Sequence, residues 1–114
     1  MKHRNVVTIP RDAEYHLKRA MDSQGRESPE RILEYFDLAL AAAPAYAAAW
    51  NEKGNFLDSM GKFDEAISCY DRSLTIDSGN SEVWFNKGLT LRKIGKENEA
   101  FSCINFGIDL ACGE

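Results

Sequence analysis

The chain has 114 residues, 44% of them hydrophobic and 28% charged, with a formal net charge of -4. Those proportions belong to one soluble globular domain and exclude a disordered or fibrous chain. Charge is uneven: residues 1–31 carry seven Lys/Arg against five Asp/Glu, and the remainder seven against thirteen, which argues against a nucleic-acid surface.

No stretch approaches the roughly 18 consecutive apolar residues of a membrane-spanning helix. The basic start MKHRNVVTIPR has no apolar core of signal-peptide length behind it, so a cytoplasmic protein without a membrane partner is expected. Residues 1–11, basic, β-branched and interrupted by Pro10, read as a flexible basic arm, with the domain running from 12 to 114.

Six helices are predicted in chain order, over 11–24, 29–43, 46–59, 63–76, 82–93 and 97–110. Ser28-Pro29-Glu30 is a helix start, with Ser as N-cap, Pro in the first turn and an acid behind it. The Ala-rich run that follows ends at Pro44. Gly61 and Gly95 separate the helices of two later pairs, where a left-handed turn is cheap for glycine. Ser81 is expected to cap the fifth helix.

Residues 47–80 laid over 81–114 without a gap show a 34-residue period. Trp50, Lys53, Gly54, Leu57, Gly61, Lys62, Glu65, Ala66, Ser68 and Cys69 all return one step later. A self-match of this kind marks stacked units, each covering its neighbour's apolar face. A step back defines a first, degenerate unit over 13–46, with His16 for Trp, Ala20 for Gly and Ile32 for Ala. Phe36 and Leu40 keep the places of Tyr70 and Leu74, and the first helix pair is expected to sit farther apart.

At about 100° per residue, Trp50, Gly54 and Leu57 share a helix face. They are expected to meet Ala66 and Tyr70, with Gly54 letting two backbones approach. Lys53 and Lys87 border that stripe and are expected to lay their stems on it with the ammonium in water.

Trp-x3-Gly-x2-Leu, then Ala-x3-Tyr, then a helix stop, repeated every 34 residues, resembles the tetratricopeptide repeat family. The resemblance implies an all-α, right-handed superhelical solenoid of three antiparallel helix pairs, with repeats 13–46, 47–80 and 81–114. It also implies a non-catalytic module that binds a partner peptide or helix in a concave groove. Carried over by position, the groove comprises Leu17, Met21 and Gln24, then Asn51, Asn55 and Asp58, then Glu82, Phe85, Leu89 and Arg92, beside Glu14 and Ala48.

One subgroup of the family clamps acidic C-terminal chaperone tails with Lys, Arg and Asn. Here those places hold Leu17, Met21, Glu52, Glu82 and Asn86, so such tails are not expected as partners.

The alternative reading is a structural module that forms a homodimer or joins an assembly. The last helix reads as uncapped and carries Phe101, Phe106, Ile108 and Leu110, an apolar face of the kind that marks interfaces. A third reading has the arm, with Lys2, His3, Arg4 and Arg11, touching an acidic surface.

Catalysis, cofactor and metal find no support in the pattern. His3 and His16 are too few and too distant for a metal pair or triad, and the glycines recur for packing rather than as a phosphate loop. Cys69, Cys103 and Cys112 form no CxxC pair and are expected to be buried, reduced thiols.

Overall fold

The computed structural model describes residues 8–113, and all their regular structure is helical. Helix α1 spans Arg11–Asp22, α2 Pro29–Ala42, α3 Ala47–Ser59, α4 Phe63–Ile76, α5 Ser81–Lys93 and α6 Glu97–Ala111. The proposed arm contacts Lys2, His3 and Arg4 lie outside the described residues. Arg11, also assigned to the arm, is instead the first residue of α1.

The helix ends follow local chemistry. Ser28 Oγ accepts the Arg31 amide at 3.3 Å, and Pro29 opens α2 where its missing N–H costs nothing. Gly61 and Gly95 adopt φ of 77° and 83°, closing the turns inside the two later pairs. Ser81 does not cap α5. Asn80 does, its Oδ1 accepting from the Glu82 amide at 3.0 Å, and Ser81 is already helical. A short amide side chain suits that position as well as a hydroxyl does, so the start moves by one residue.

Two compact units divide at the first repeat border, residues 1–46 and 47–114. The first is the α1–α2 pair. Ala20 and Ile32 are both buried there, in the places that Gly and Ala hold in later repeats. Glu27 links the turn to the second helix, accepting from Ser23 Oγ and from the Tyr35 hydroxyl, each at 2.9 Å. Those bonds, first Ser23 and then Tyr35, hold the Glu27 carboxyl below its usual range. The Arg19 guanidinium lies 5.0 Å from the Tyr35 ring centre.

The second unit contains two helix pairs, α3–α4 and α5–α6, with α5 also packed on α4 and α3. Gly54 faces Ala66 and Tyr70 as expected: a Cβ at Gly54 would stand 2.7 Å from Tyr70 Cε1 and 3.2 Å from the Ala66 carbonyl oxygen. Gly88 repeats this against Ile104 (2.6 Å) and the Ala100 carbonyl oxygen (3.1 Å).

A third close approach was not anticipated. Gly107 meets the Phe85 ring at 2.8 Å from the place a Cβ would occupy. One repeat earlier these two positions are Ser73, bonded to the Ala47 carbonyl at 2.9 Å, and Asn51. Loss of the serine side chain makes room for the larger ring.

Candidate functional site

Each first-helix tryptophan of the second unit sits half-buried beside its helix pair rather than jutting into water. The Trp50 ring has Lys53 Nζ 5.7 Å and the Arg72 guanidinium 5.2 Å from its centre. Trp84 has Lys87 Nζ at 5.9 Å, stacks on Phe106 with centroids 4.6 Å apart, and donates its indole N–H to the Ser78 carbonyl at 2.9 Å. Phe106 thus occupies the place of Arg72 and does its work, covering the tryptophan with an apolar ring instead of a cation.

The expectation that Lys87 ends in water needs correction: its Nζ lies 2.6 Å from Asp71 Oδ1, with the side chain largely covered. Asp71 comes from α4, so the pair bridges successive repeats, a partner the pattern of one helix does not reveal.

The strip singled out on α3 is a seam. Asn51, 5% exposed, accepts at Oδ1 from Asn86 Nδ2 at 3.2 Å. Asn55 Oδ1 accepts from the Tyr70 hydroxyl at 2.8 Å, and its Nδ2 donates to Glu52 at 3.4 Å. Asp58 accepts from Thr90 Oγ1 at 2.8 Å and Lys93 Nζ at 2.7 Å. Burial pushes the Tyr70 phenol well above its usual range, so it stays a donor.

On α5, Asn86, Thr90 and Lys93 follow one another along one face; Asn86 meets Asn51, Thr90 and Lys93 both meet Asp58, and Asn55 turns instead to Tyr70 of α4. A buried polar row of this kind is favourable only when every member is satisfied. Among the described residues no buried side-chain N or O lacks a partner. Asn51 and Asp58 are therefore seam residues first.

On α5 the corresponding strip is open. Leu89 is 45% exposed, Glu82 and Arg92 are exposed, and Phe85 is half-buried against Gly107. Met21 on α1 and Gln24 in the turn after it are exposed, with Gln24 Nε2 3.9 Å from Met21 Sδ, and Leu17 on α1 is half-buried. Of the last-helix set, Phe101 (68% exposed) and Ile108 are bare, Leu110 is half-buried and Phe106 is engaged by Trp84.

Two profiles described as tetratricopeptide repeat match the chain, over residues 47–80 and 69–101. The chain belongs to the tetratricopeptide repeat family. A curated relative, "Uncharacterized protein MJ0572" of Methanocaldococcus jannaschii, is 34% identical over 65 residues, or 57% of this chain and 76% of the relative. Among solved structures, MamA superimposes with a TM-score of 0.83 at 23% identity, covering 88% of this chain and 58% of MamA. The second tetratricopeptide domain of Spaghetti (RPAP3), bound to the HSP90 peptide SRMEEVD, gives 0.81 at 21%, covering 88% of this chain and 93% of that one. These likenesses establish an all-α helical repeat solenoid.

No helix among the described residues is long and apolar enough to cross a membrane, and none of their His, Cys, Asp and Glu side chains form a group of three suited to a metal. The cysteines divide differently from expectation: Cys69 and Cys103 are buried, while Cys112 is exposed, because α6 ends at Ala111 and the thiol lies just beyond it. Burial pushes the Cys103 thiol up, against a smaller opposing pull from Lys87. A thiol reagent at neutral pH should modify Cys112 within minutes and the other two only as the chain unfolds. Fast modification of all three, followed by mass spectrometry, would contradict this placement.

Proposed function

We propose that this chain is a non-catalytic, cytoplasmic protein-interaction module that takes an extended peptide or a helix along the first-helix strip of its repeats. The observation that carries the reading is the change of character along that strip. Asn51 and Asp58 are occupied in the α3–α5 seam, whereas one repeat later Phe85, Leu89 and Arg92 offer apolar surface and a cation to a partner. The surface is formed before binding, so little ordering entropy is lost on capture. The peptide-bound state of the RPAP3 domain supports an interaction role by analogy of fold.

Direct contact is assigned to Phe85, Leu89 and Arg92, with Asn55 Nδ2 as donor to a peptide carbonyl. Glu82 on α5 completes this contact set; in the first unit, taken by itself, Leu17 and Met21 on α1 and Gln24 in the turn after it form the corresponding proposed strip. A peptide selected against the chain from a displayed library should bind in about the micromolar range. Leu89→Asp should weaken it at least about tenfold, or 1.4 kcal/mol, and Leu38→Asp on α2 should leave it unchanged. Binding indifferent to Leu89→Asp and Phe85→Ala together would contradict the assignment.

The peptide SRMEEVD is a specific negative expectation. Glu52 and Glu82 repel its carboxylates, Leu17 and Met21 offer no donor, and Asn86 alone supplies no cation to hold them. Titration should give a Kd above about 1 mM; micromolar affinity would refute the assignment of those positions.

A further inference from the structure

The seam between successive repeats is seen once in residues 47–114, and the 34-residue register carries it forward and back. Asp58 on α3 receives Thr90 and Lys93 of α5, and Ile67 on α4 packs into a cluster with Trp84 and Leu91 of α5 and Ile94 just after it. One period later these two receiving positions hold Arg92 and Phe101. Arg92 is exposed and has no ion pair among the described residues, Phe101 is 68% exposed, and both line one open cavity with Ala100 and Ile104.

Two periods before Thr90 and Ile94 stand Asp22 and Arg26, on the outer side of α1 and the turn after it. They line an open cavity with Tyr15 and Arg19. Tyr15 is 57% exposed, although Ala49 and Val83, its counterparts in the later repeats, are fully buried. The seam chemistry is exchanged in a complementary way: the receiving carboxylate Asp58 becomes the cation Arg92, and the hydroxyl Thr90 that met it becomes the carboxylate Asp22.

We infer that the face carrying Arg92 and Phe101 receives α1 of a second copy of this chain, head to tail. Arg92 pairs with Asp22, and Phe101 enters the α1 cavity under the Arg26 guanidinium. The Lys87–Asp71 pair has its counterpart in Arg19 against Asn105. Asp22 is held by Lys18 at 3.1 Å, an exposed pair that exchanges readily. The two surfaces are different, so the contact is heterologous and growth need not stop at a dimer. The inference rests on the interaction-module reading and names a second copy as one partner.

Sedimentation velocity from about 1 to 200 µM tests it. Wild-type chain should associate with rising concentration beyond a dimer. Arg92→Asp alone and Asp22→Arg alone should each stay monomeric with unchanged helical melting, while an equimolar mixture of the two associates again, since each supplies the charge the other lacks. Monomer only for wild type, association unmoved by Asp22→Arg, or a mixture that stays monomeric would each overturn it. Because Arg92 also belongs to the proposed peptide strip, Asp22→Arg separates the two readings: it should abolish association and leave the Leu89-dependent peptide titration unchanged.

Discussion

Replacing Tyr70 by alanine should lower the unfolding free energy by about 3–5 kcal/mol, the range for deleting a large buried aromatic. Tyr70 is 1% exposed, and its ring fills the space that Gly54 leaves open on α3. Its hydroxyl also bonds Asn55 at 2.8 Å. Alanine would leave a cavity and an unpaired amide oxygen together. Domain stabilities run to about 5–15 kcal/mol, so the variant should unfold near ambient temperature in urea concentrations the parent resists. Tyr70→Phe separates the two contributions: it keeps the ring and should cost about 1 kcal/mol. Equilibrium urea unfolding followed by far-ultraviolet circular dichroism reads both, and a Tyr70→Ala cost under 1 kcal/mol would mean that the ring is not the core of this pair.

Gly54→Val is the second large effect, and here two forces oppose. A side chain in place of glycine in a helix interior gains up to about 1 kcal/mol of propensity, less for a β-branched residue. Against that, the added Cβ lies 2.7 Å from a rigid, hydrogen-bonded ring and 3.2 Å from a backbone oxygen of α4. Neither neighbour yields without moving a helix, and overpacking of this kind costs about 1–3 kcal/mol, occasionally more. Valine adds two methyls beyond that Cβ, which puts the overpacking at the top of that range, so the clash wins and the expected net loss is about 2 kcal/mol. Gly61→Ala is the contrast. Nothing lies within 4 Å of the new Cβ, and the cost comes only from φ of 77°, about 1 kcal/mol. Thermal and urea unfolding of the two variants should therefore rank Gly54→Val well below Gly61→Ala; the reverse order would contradict the close approach of α3 and α4.

Much of the fold is legible in the sequence because its determinants are local. Ser28-Pro29, Gly61 and Gly95 state where helices begin and turn, and the return of Trp50 and Gly54 at Trp84 and Gly88 states which faces pack. The Asn80 cap differs from the expected Ser81 by one residue because both can accept an amide hydrogen. Contacts set by the stagger between helices are not written in any single helix. The bonds from Asn86 to Asn51 and from Thr90 to Asp58 depend on how far α5 slides along α3, so Asn51 and Asp58 read as free groove residues until both helices are placed. The pairing of Lys87 with Asp71 is hidden for the same reason.

Gly107 had a readable signal in its exchange for Ser73 together with Asn51 becoming Phe85, a paired small-for-large change at fixed spacing. Phe106 against Trp84 could likewise be read from Arg72 standing by Trp50 one repeat earlier, but only once the cation over that ring is known. The first unit is the least legible, because His16, Ala20 and Ile32 replace the residues that make the later pattern recognisable.

The central claim is that the 34-residue units at 47–80 and 81–114 each pack their two helices through the same close approach, at Gly54 and at Gly88, leaving the strip from Phe85 to Arg92 for partners. Proton–proton contacts in a nuclear Overhauser spectrum of the labelled chain test it most directly. The account predicts strong cross-peaks from Gly54 Hα to the Tyr70 ring, from Gly88 Hα to the Ile104 side chain, and between the Trp84 and Phe106 rings. Absence of the first two in a folded, helical chain would contradict it.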